Sequence, residues 1–144
     1  MFKMLGAILI VVCTTFLCSQ KIIRYYYTHN FLDKTIAIVK KINFERNSNM
    51  VYEKLFKKLD FNKQKFIAEM QANCYIDSNI KDKVNSFFGE LGRKNKSAED
   101  EYVDYFLSSL ILDKKEYSEQ YMQNKKLYVL YGFSLGLFIV IILI

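Results

Sequence analysis

Uncharged, strongly apolar stretches lie near both ends of the sequence, and the charged residues lie between them. Residues 4–20 and residues 127–144 contain no Asp, Glu, Lys or Arg. At about 1.5 Å per residue, a helix of either length covers roughly 26 Å, close to the ~30 Å hydrocarbon core of a bilayer. A core helix of a water-soluble protein would keep a polar face. We therefore predict two transmembrane helices, in domains spanning residues 1–20 and 127–144.

The middle domain, residues 21–126, has the apolar spacing of amphipathic helices and lacks the alternation typical of strands. Two of its helices are expected at about residues 50–59 and 62–72. A further helix is expected to stop at Gly92, since glycine readily ends helices. The predicted fold is therefore all-α, a bundle of four or five helices between an N-terminal and a C-terminal transmembrane helix.

Capping residues predict where these helices begin. The candidate capping pairs, a polar residue followed three positions later by an acid, are Asn30 with Asp33, Asn79 with Asp82, and Ser97 with Asp100. The polar residues 47–49 are expected to break the first helix of the middle domain. The Ser97 pair is expected to start a long helix that leads towards the second apolar segment.

The placement of Lys and Arg predicts which side of the membrane holds the middle domain. Lys21 and Arg24 follow the first apolar segment, and Lys125 and Lys126 precede the second, whereas only Lys3 lies outside. Because basic flanks favour the cytoplasmic side, we predict a two-pass protein of the cell membrane with a cytoplasmic middle domain. The alternative is that the first segment is a cleaved signal peptide, although no small-x-small cleavage pattern follows it.

The charge balance disfavours a nucleic-acid partner. All 15 acidic residues and all basic residues except Lys3 lie in the middle domain, giving it a mild basic excess. These charges are interspersed along the sequence, with no basic stripe and no RNA-binding signature. Attraction to anionic membrane lipid explains the excess more simply.

The sequence offers no recognisable catalytic, cofactor or metal site. Its single histidine, His29, has no clustered partner, and its three cysteines form no disulfide framework. The acidic residues from Glu99 to Asp104 are better explained by the positive end of a helix dipole than by catalysis or metal binding. We therefore expect no enzymatic activity, no catalytic residue, no cofactor and no metal.

A GxxxG motif formed by Gly132 and Gly136 lies in the second apolar segment. Small residues at this spacing let membrane helices approach closely, so we expect these glycines to pack against another helix. Gly6, followed by Ala7, could supply the opposing small surface.

Three stretches of the sequence resemble the stage III sporulation protein AB family. Residues 1–15 resemble the start of that family, a Lys followed by Leu-Gly-Ala and an aliphatic run. Residues 89–95 resemble its Leu-Gly-x-x-Asp element, with Asn95 where Asp is usual. Residues 126–144 resemble its closing Gly-Phe-x-x-Gly-Leu anchor. Residues 47–53 depart from the family, because they lack its usual proline-containing turn.

The resemblance implies a role in endospore formation. It implies a non-enzymatic scaffold in the mother-cell membrane around the forespore, similar to the platform proteins of type II secretion and type IV pilus systems. The implied partners are a secretion-type ATPase of the stage III sporulation protein AA type and other channel subunits. The sequence also leaves open whether the chain forms a homo-oligomer. The alternatives are an unrelated two-pass adaptor or exported membrane protein of an AT-rich organism, and a membrane-bound enzyme.

The candidate docking residues follow Gly92 and form what we call the basic turn: Arg93, Lys94, Asn95 and Lys96. If this turn docks the ATPase, an acidic patch on the partner should meet it. The plain alternative is a solvated loop.

Overall fold

The computed structural model describes residues 2–46 and 51–143 and contains five helices and no strand within those ranges. The prediction of an all-α fold is confirmed. The helices are α1 (Phe2–Glu45), α2 (Tyr52–Lys58), α3 (Lys63–Ala72), α4 (Ser78–Glu90) and α5 (Lys96–Leu143). The predicted break at residues 47–49 and the predicted start of a helix near residue 50 lie outside the described residues.

The chain divides into two compact units. Met1–Tyr26 and Tyr117–Ile144 form the first unit, and Tyr27–Glu116 form the second, which we call the helical unit. The domain limits at residues 20/21 and 126/127 rest on the charge pattern and stay predictions.

The helices α1 and α5 are long and apolar enough to cross a membrane. In their apolar segments, large side chains such as Leu5, Leu9, Phe138 and Ile142 are more than half exposed. Exposed apolar surface of this extent is stable in lipid, where association depends on close packing instead of the hydrophobic effect. Length, composition and exposure are therefore all compatible with a membrane protein.

The core of the helical unit is built around α4. Its apolar residues recur every three or four positions, so they share one face: Ile80, Val84, Phe87 and Phe88. All four are buried. The ring of Phe87 stacks on Phe106 of α5, with centroids 3.8 Å apart and planes 4° apart. Further buried residues from the other helices complete this core: Leu32, Val39, Ile42, Leu55, Met70, Val103 and Leu110.

A buried threonine ties the loop between α3 and α4 to α1. The hydroxyl of Thr28 accepts a hydrogen bond from the backbone N–H of Asp77 at 3.1 Å and lies 3.5 Å from the carbonyl oxygen of Tyr75. The adjacent side chain of Asp77 caps α4 by accepting from the N–H of Asn79 at 2.9 Å. Helix α4 therefore begins at Ser78, directly after this anchored residue.

Three predicted helix starts are wrong in position. No helix begins at Asn30, because α1 runs without a break from Phe2 to Glu45. Asp77, and not Asn79, caps α4. Helix α5 begins one residue before Ser97, because the side chain of Asn95 accepts from the N–H of Ala98 at 3.0 Å and fills the cap.

We expect Phe106→Ala to lower the free energy of unfolding by about 3–5 kcal/mol, because it empties a fully packed aromatic site. The measurement is urea unfolding of a fragment comprising residues 27–116, monitored by circular dichroism. The matched control is Tyr105→Ala, since Tyr105 is 76% exposed and should change stability by less than about 0.5 kcal/mol. Equal effects of the two substitutions, or a fragment without cooperative unfolding, would contradict this core.

Candidate functional site

The basic turn connects α4 to α5 and is exposed along its whole length. Helix α4 ends at Glu90, Leu91 is extended, and Gly92 takes a φ of +88°. That left-handed backbone reverses the chain and suits glycine best. A Cβ at this position would also lie 3.2 Å from Cδ2 of Tyr52, so glycine lets the turn sit directly against that ring.

A buried carboxylate holds the turn from below. Glu99, in the first turn of α5, is 4% exposed. Its carboxylate accepts hydrogen bonds from the backbone N–H of Gly92 at 2.6 Å, the N–H of Lys94 at 3.3 Å and the hydroxyl of Tyr52 at 2.9 Å. Glu99 therefore fixes the backbone of the turn and joins it to α2.

The cations of the turn are arranged by neighbouring side chains. Arg93 lies 3.6 Å from the carboxylate of Glu90, an exposed pair of small energetic value. The ammonium of Lys94 lies 3.7 Å from the centre of the Tyr102 ring, a cation–π geometry. Burial, and then the charges of Glu90 and Glu99, raise the pKa of the Tyr102 hydroxyl. The turn thus presents positive charge on a backbone of fixed shape.

Arg46, at the end of α1, extends this network beneath the start of α5. Its guanidinium donates to the carbonyl oxygen of Glu99 at 3.1 Å and to the side chain of Asn43 at 2.8 Å. It also forms a salt bridge of 2.9 Å with Asp100. Neither Arg46 nor Tyr52 was singled out by the sequence analysis, because no local pattern links either residue to a site about fifty positions away.

The acidic residues that start α5 have separate structural tasks. Glu99 holds the basic turn, Asp100 pairs with Arg46, and Asp104 accepts a hydrogen bond from Asn43 at 3.0 Å. Within residues 2–46 and 51–143, no group of three or more His, Cys, Asp or Glu side chains is arranged to hold a metal. Hydrogen bonds and an ion pair thus account for Glu99, Asp100 and Asp104.

In the unit formed by the apolar segments, Gly132 and Gly136 lie directly against α1. A Cβ at Gly132 would come within 2.7 Å of Cα of Thr15, and one at Gly136 within 2.8 Å of Cα of Val11. No larger residue fits at these distances without a shift of backbone. Gly6 does not supply the opposing surface, because a Cβ there would meet nothing within 4 Å.

Aromatic and basic side chains cluster at the charged ends of the two apolar segments. Tyr25 lies 6.1 Å from Tyr117, and Tyr26 lies 5.9 Å from Tyr121, measured between ring centres. Lys125 lies 5.3 Å from the centre of the Tyr121 ring. Tyrosine and lysine at such positions are typical of the level of lipid headgroups.

The hydrogen bond between Tyr52 and Glu99 should stabilise the helical unit in a pH-dependent way. Burial, together with the facing Glu99 carboxylate, raises the pKa of the Tyr52 hydroxyl from 10.0 to about 12. A raised pKa means that the stabilisation is complete below pH 10 and is lost as the pH rises to 12.

We therefore expect Tyr52→Phe to cost about 1–2 kcal/mol of unfolding free energy at pH 7. The difference from the unaltered sequence should shrink between pH 10 and 12. Urea unfolding of the fragment of residues 27–116 over a pH series measures both effects. Tyr105→Phe, at an exposed ring, is the control. A difference that stays constant up to pH 12 would contradict the assigned hydrogen bond.

Replacing Gly132 and Gly136 together by leucine should separate the two apolar helices, because both added side chains would collide with α1. A short thiol crosslinker between the native Cys18 and a Phe133→Cys substitution, with Cys13 and Cys74 changed to serine, reports their proximity. We expect the internal crosslink to be lost in the double leucine variant and kept in Gly6→Leu. Equal crosslinking in both variants would show that the two glycines are incidental.

Comparison with known protein families gives a match to the second half of α5 and to much of the helical unit. The family model described as stage III sporulation protein AB matches residues 43–144. No curated protein and no solved structure matches the chain. The matched region includes the basic turn, the whole of α5 and both packing glycines of the second apolar segment.

Proposed function

The chain belongs to the stage III sporulation protein AB family, and we propose that it is a non-enzymatic membrane scaffold of a secretion-like channel complex between mother cell and forespore. The family match carries this proposal, because a sporulation family accounts for the chain over residues 43–144. An unrelated adaptor or exported membrane protein does not account for a match of that extent. A catalytic role finds no support in the contacts of the described acidic residues.

The proposed topology follows from the membrane-compatible helices and their flanks. α1 and α5 each have the length and apolarity to span a bilayer. The basic residues that flank the two apolar segments lie between those segments in the sequence, which supports a cytoplasmic position for the helical unit: Lys21, Arg24, Lys125 and Lys126. In this proposal the two helices hold the helical unit at the cytoplasmic face of the mother-cell membrane.

The basic turn is the proposed docking element for a secretion-type ATPase of the stage III sporulation protein AA type. Its backbone is fixed by Glu99, so little conformational freedom remains to be lost on binding. Its cations are exposed and accessible to an acidic patch on a partner. Charges at the rim of an interface act mainly by accelerating association, so binding should weaken as ionic strength rises.

Reversing the charge of the turn tests this proposal. We expect the triple variant Arg93→Glu, Lys94→Glu and Lys96→Glu to lose most of its binding to the ATPase in pull-down with the full chain in detergent. The helical content should not change, because all three side chains are exposed. Measuring the helical content therefore distinguishes a folded variant that has lost binding from a variant that has lost binding because it is unfolded.

The matched control reverses three exposed lysines of α1, Lys34, Lys40 and Lys41. It makes the same change in net charge away from the turn and should keep binding. If the unaltered full chain does not bind the ATPase even at low salt, the docking proposal fails. If both triple variants lose binding equally, the effect is one of overall charge and not of the turn.

A further inference from the structure

In the unit formed by the apolar segments, the glycine contacts fix how α1 and α5 lie alongside each other. A Cβ at Gly132 would lie 2.7 Å from Cα of Thr15, and a Cβ at Gly136 would lie 2.8 Å from Cα of Val11. Four residues forward along α5 therefore match four residues back along α1. The two helices of this unit are antiparallel, and their register is known residue by residue.

The same register continues to the charged ends of the two segments. The rings of Tyr26 and Tyr121 lie 5.9 Å apart, and these two positions face each other when the register of the glycines is extended. The ammonium of Lys21 lies 5.7 Å from the centre of the Tyr128 ring on the other helix. Both contacts hold the helix pair together at the level where charge begins.

This register brings four cations to one level of the helix pair. Position 126 lies level with position 21, and position 123 lies level with position 24. Because three residues of a helix rise about 4.5 Å, the basic side chains at this end are attached within about 5 Å of one another along the helix axes. All of them are exposed. We call this group the basic belt: Lys21, Arg24, Lys125 and Lys126.

No carboxylate of the chain neutralises the basic belt. Residues 1–32 and 120–144 contain no Asp or Glu. The nearest acid on α5, Glu119, lies six residues before Lys125, or about 9 Å along the helix, which is about one Debye length at physiological salt. Within residues 2–46 and 51–143, none of the belt cations forms a salt bridge. The belt therefore attracts anions from outside the chain.

Exposed apolar side chains lie directly beside the basic belt. Leu17 precedes the belt on α1, and Leu127 and Leu130 follow it on α5, and all three are exposed. A free phosphate ion or an acidic protein in water would satisfy the cations and leave these side chains uncovered. A phospholipid with a net negative headgroup satisfies both, because its acyl chains cover the leucines while its phosphate meets the cations.

We propose that the basic belt is a binding site for anionic phospholipid and selects it over zwitterionic lipid. Lysine and arginine side chains of the belt would donate hydrogen bonds to the headgroup phosphate. Lys21 and Lys125 are already held at this level by the Tyr128 and Tyr121 rings. The inference rests on the membrane position of α1 and α5 in the proposed function, and it adds the lipid that the two helices recognise.

The test places a fluorescent reporter beside the belt. The sequence contains no tryptophan, so a single Leu130→Trp substitution reports on one place only. Leu130 is 61% exposed and lies four residues beyond Lys126. The full chain is reconstituted in equal mixtures of phosphatidylglycerol and phosphatidylcholine, in which one lipid or the other carries bromine on its acyl chains. Bromine quenches tryptophan on contact, so the two mixtures compare the lipids that touch the reporter.

We expect brominated phosphatidylglycerol to quench Leu130→Trp more strongly than brominated phosphatidylcholine. The ratio of association constants should be about fivefold or more, since a single cation near an anionic membrane surface contributes about that factor. The matched reporter is Ile8→Trp, at a side chain that is 60% exposed near the other end of the helix pair. Lys3 is the only basic residue among residues 1–20, so selectivity there should be clearly smaller.

Neutralising the belt should remove the selectivity at Leu130→Trp. The variant changes all four belt cations to glutamine, and circular dichroism checks that its helical content is kept. The control makes the same change in net charge at exposed lysines of the helical unit and should keep the selectivity: Lys34, Lys40, Lys41 and Lys54. Inorganic phosphate, added at constant ionic strength, should not compete with the lipid.

Several results would overturn this inference. Equal quenching of Leu130→Trp by the two brominated lipids would mean that the belt does not select anionic lipid. Equal loss of selectivity in the belt variant and in its control would assign the effect to total charge. Competition by inorganic phosphate would mean that the belt takes a free anion. Absence of quenching by either lipid at both reporters would refute the membrane position itself, and with it the proposed function.

Discussion

The shape of the candidate docking surface depends on the hydrogen bonds that the buried carboxylate of Glu99 accepts. Removing a carboxylate from water is costly unless hydrogen-bond donors replace the lost hydration. At Glu99 the replacements come from the turn itself, through Gly92 and Lys94, and from α2, through Tyr52. Any displacement of the turn would leave this buried group without its partners. Because the Glu99 carboxylate needs these hydrogen-bond donors, it restrains the backbone of a loop whose own side chains are exposed.

The same interaction explains the presence of glycine at position 92. Its left-handed φ aims the N–H at Glu99, and the missing side chain gives room for the Tyr52 ring. A larger residue would face both backbone strain and a close contact with an aromatic ring that is itself held by Glu99. Backbone conformation, aromatic packing and hydrogen bonding at the turn therefore constrain one another, and the Lys94 ammonium is placed over Tyr102 as a consequence.

Periodicity in the sequence was enough to predict the helical class, because apolar residues recur three or four positions apart, as Ile80, Val84 and Phe87 do in α4. The cap of α5 was misplaced by two residues because Asn95 and Ser97 are both good caps, and only the folded backbone shows which side chain reaches an N–H. The partners of Glu99 could not be predicted, since Arg46 and Tyr52 are brought to it by tertiary packing. The interspersed charges of the sequence likewise hide a separation, in which α5 begins acidic and α2 with the start of α3 is basic.

The buried residues that hold the turn and the exposed cations that the turn carries differ in how well they tolerate substitution. Arg93 and Lys94 take part in interactions of small value to stability, an exposed ion pair and a cation–π contact, so the helical unit can tolerate their substitution. Glu99 and Gly92 cannot be replaced as freely, because the conformation of the turn requires both. Charge at the turn can therefore vary to fit a partner while its backbone stays fixed. In the proposed docking role, Glu99 beneath the cations keeps the shape of the turn fixed while the charges that meet a partner vary.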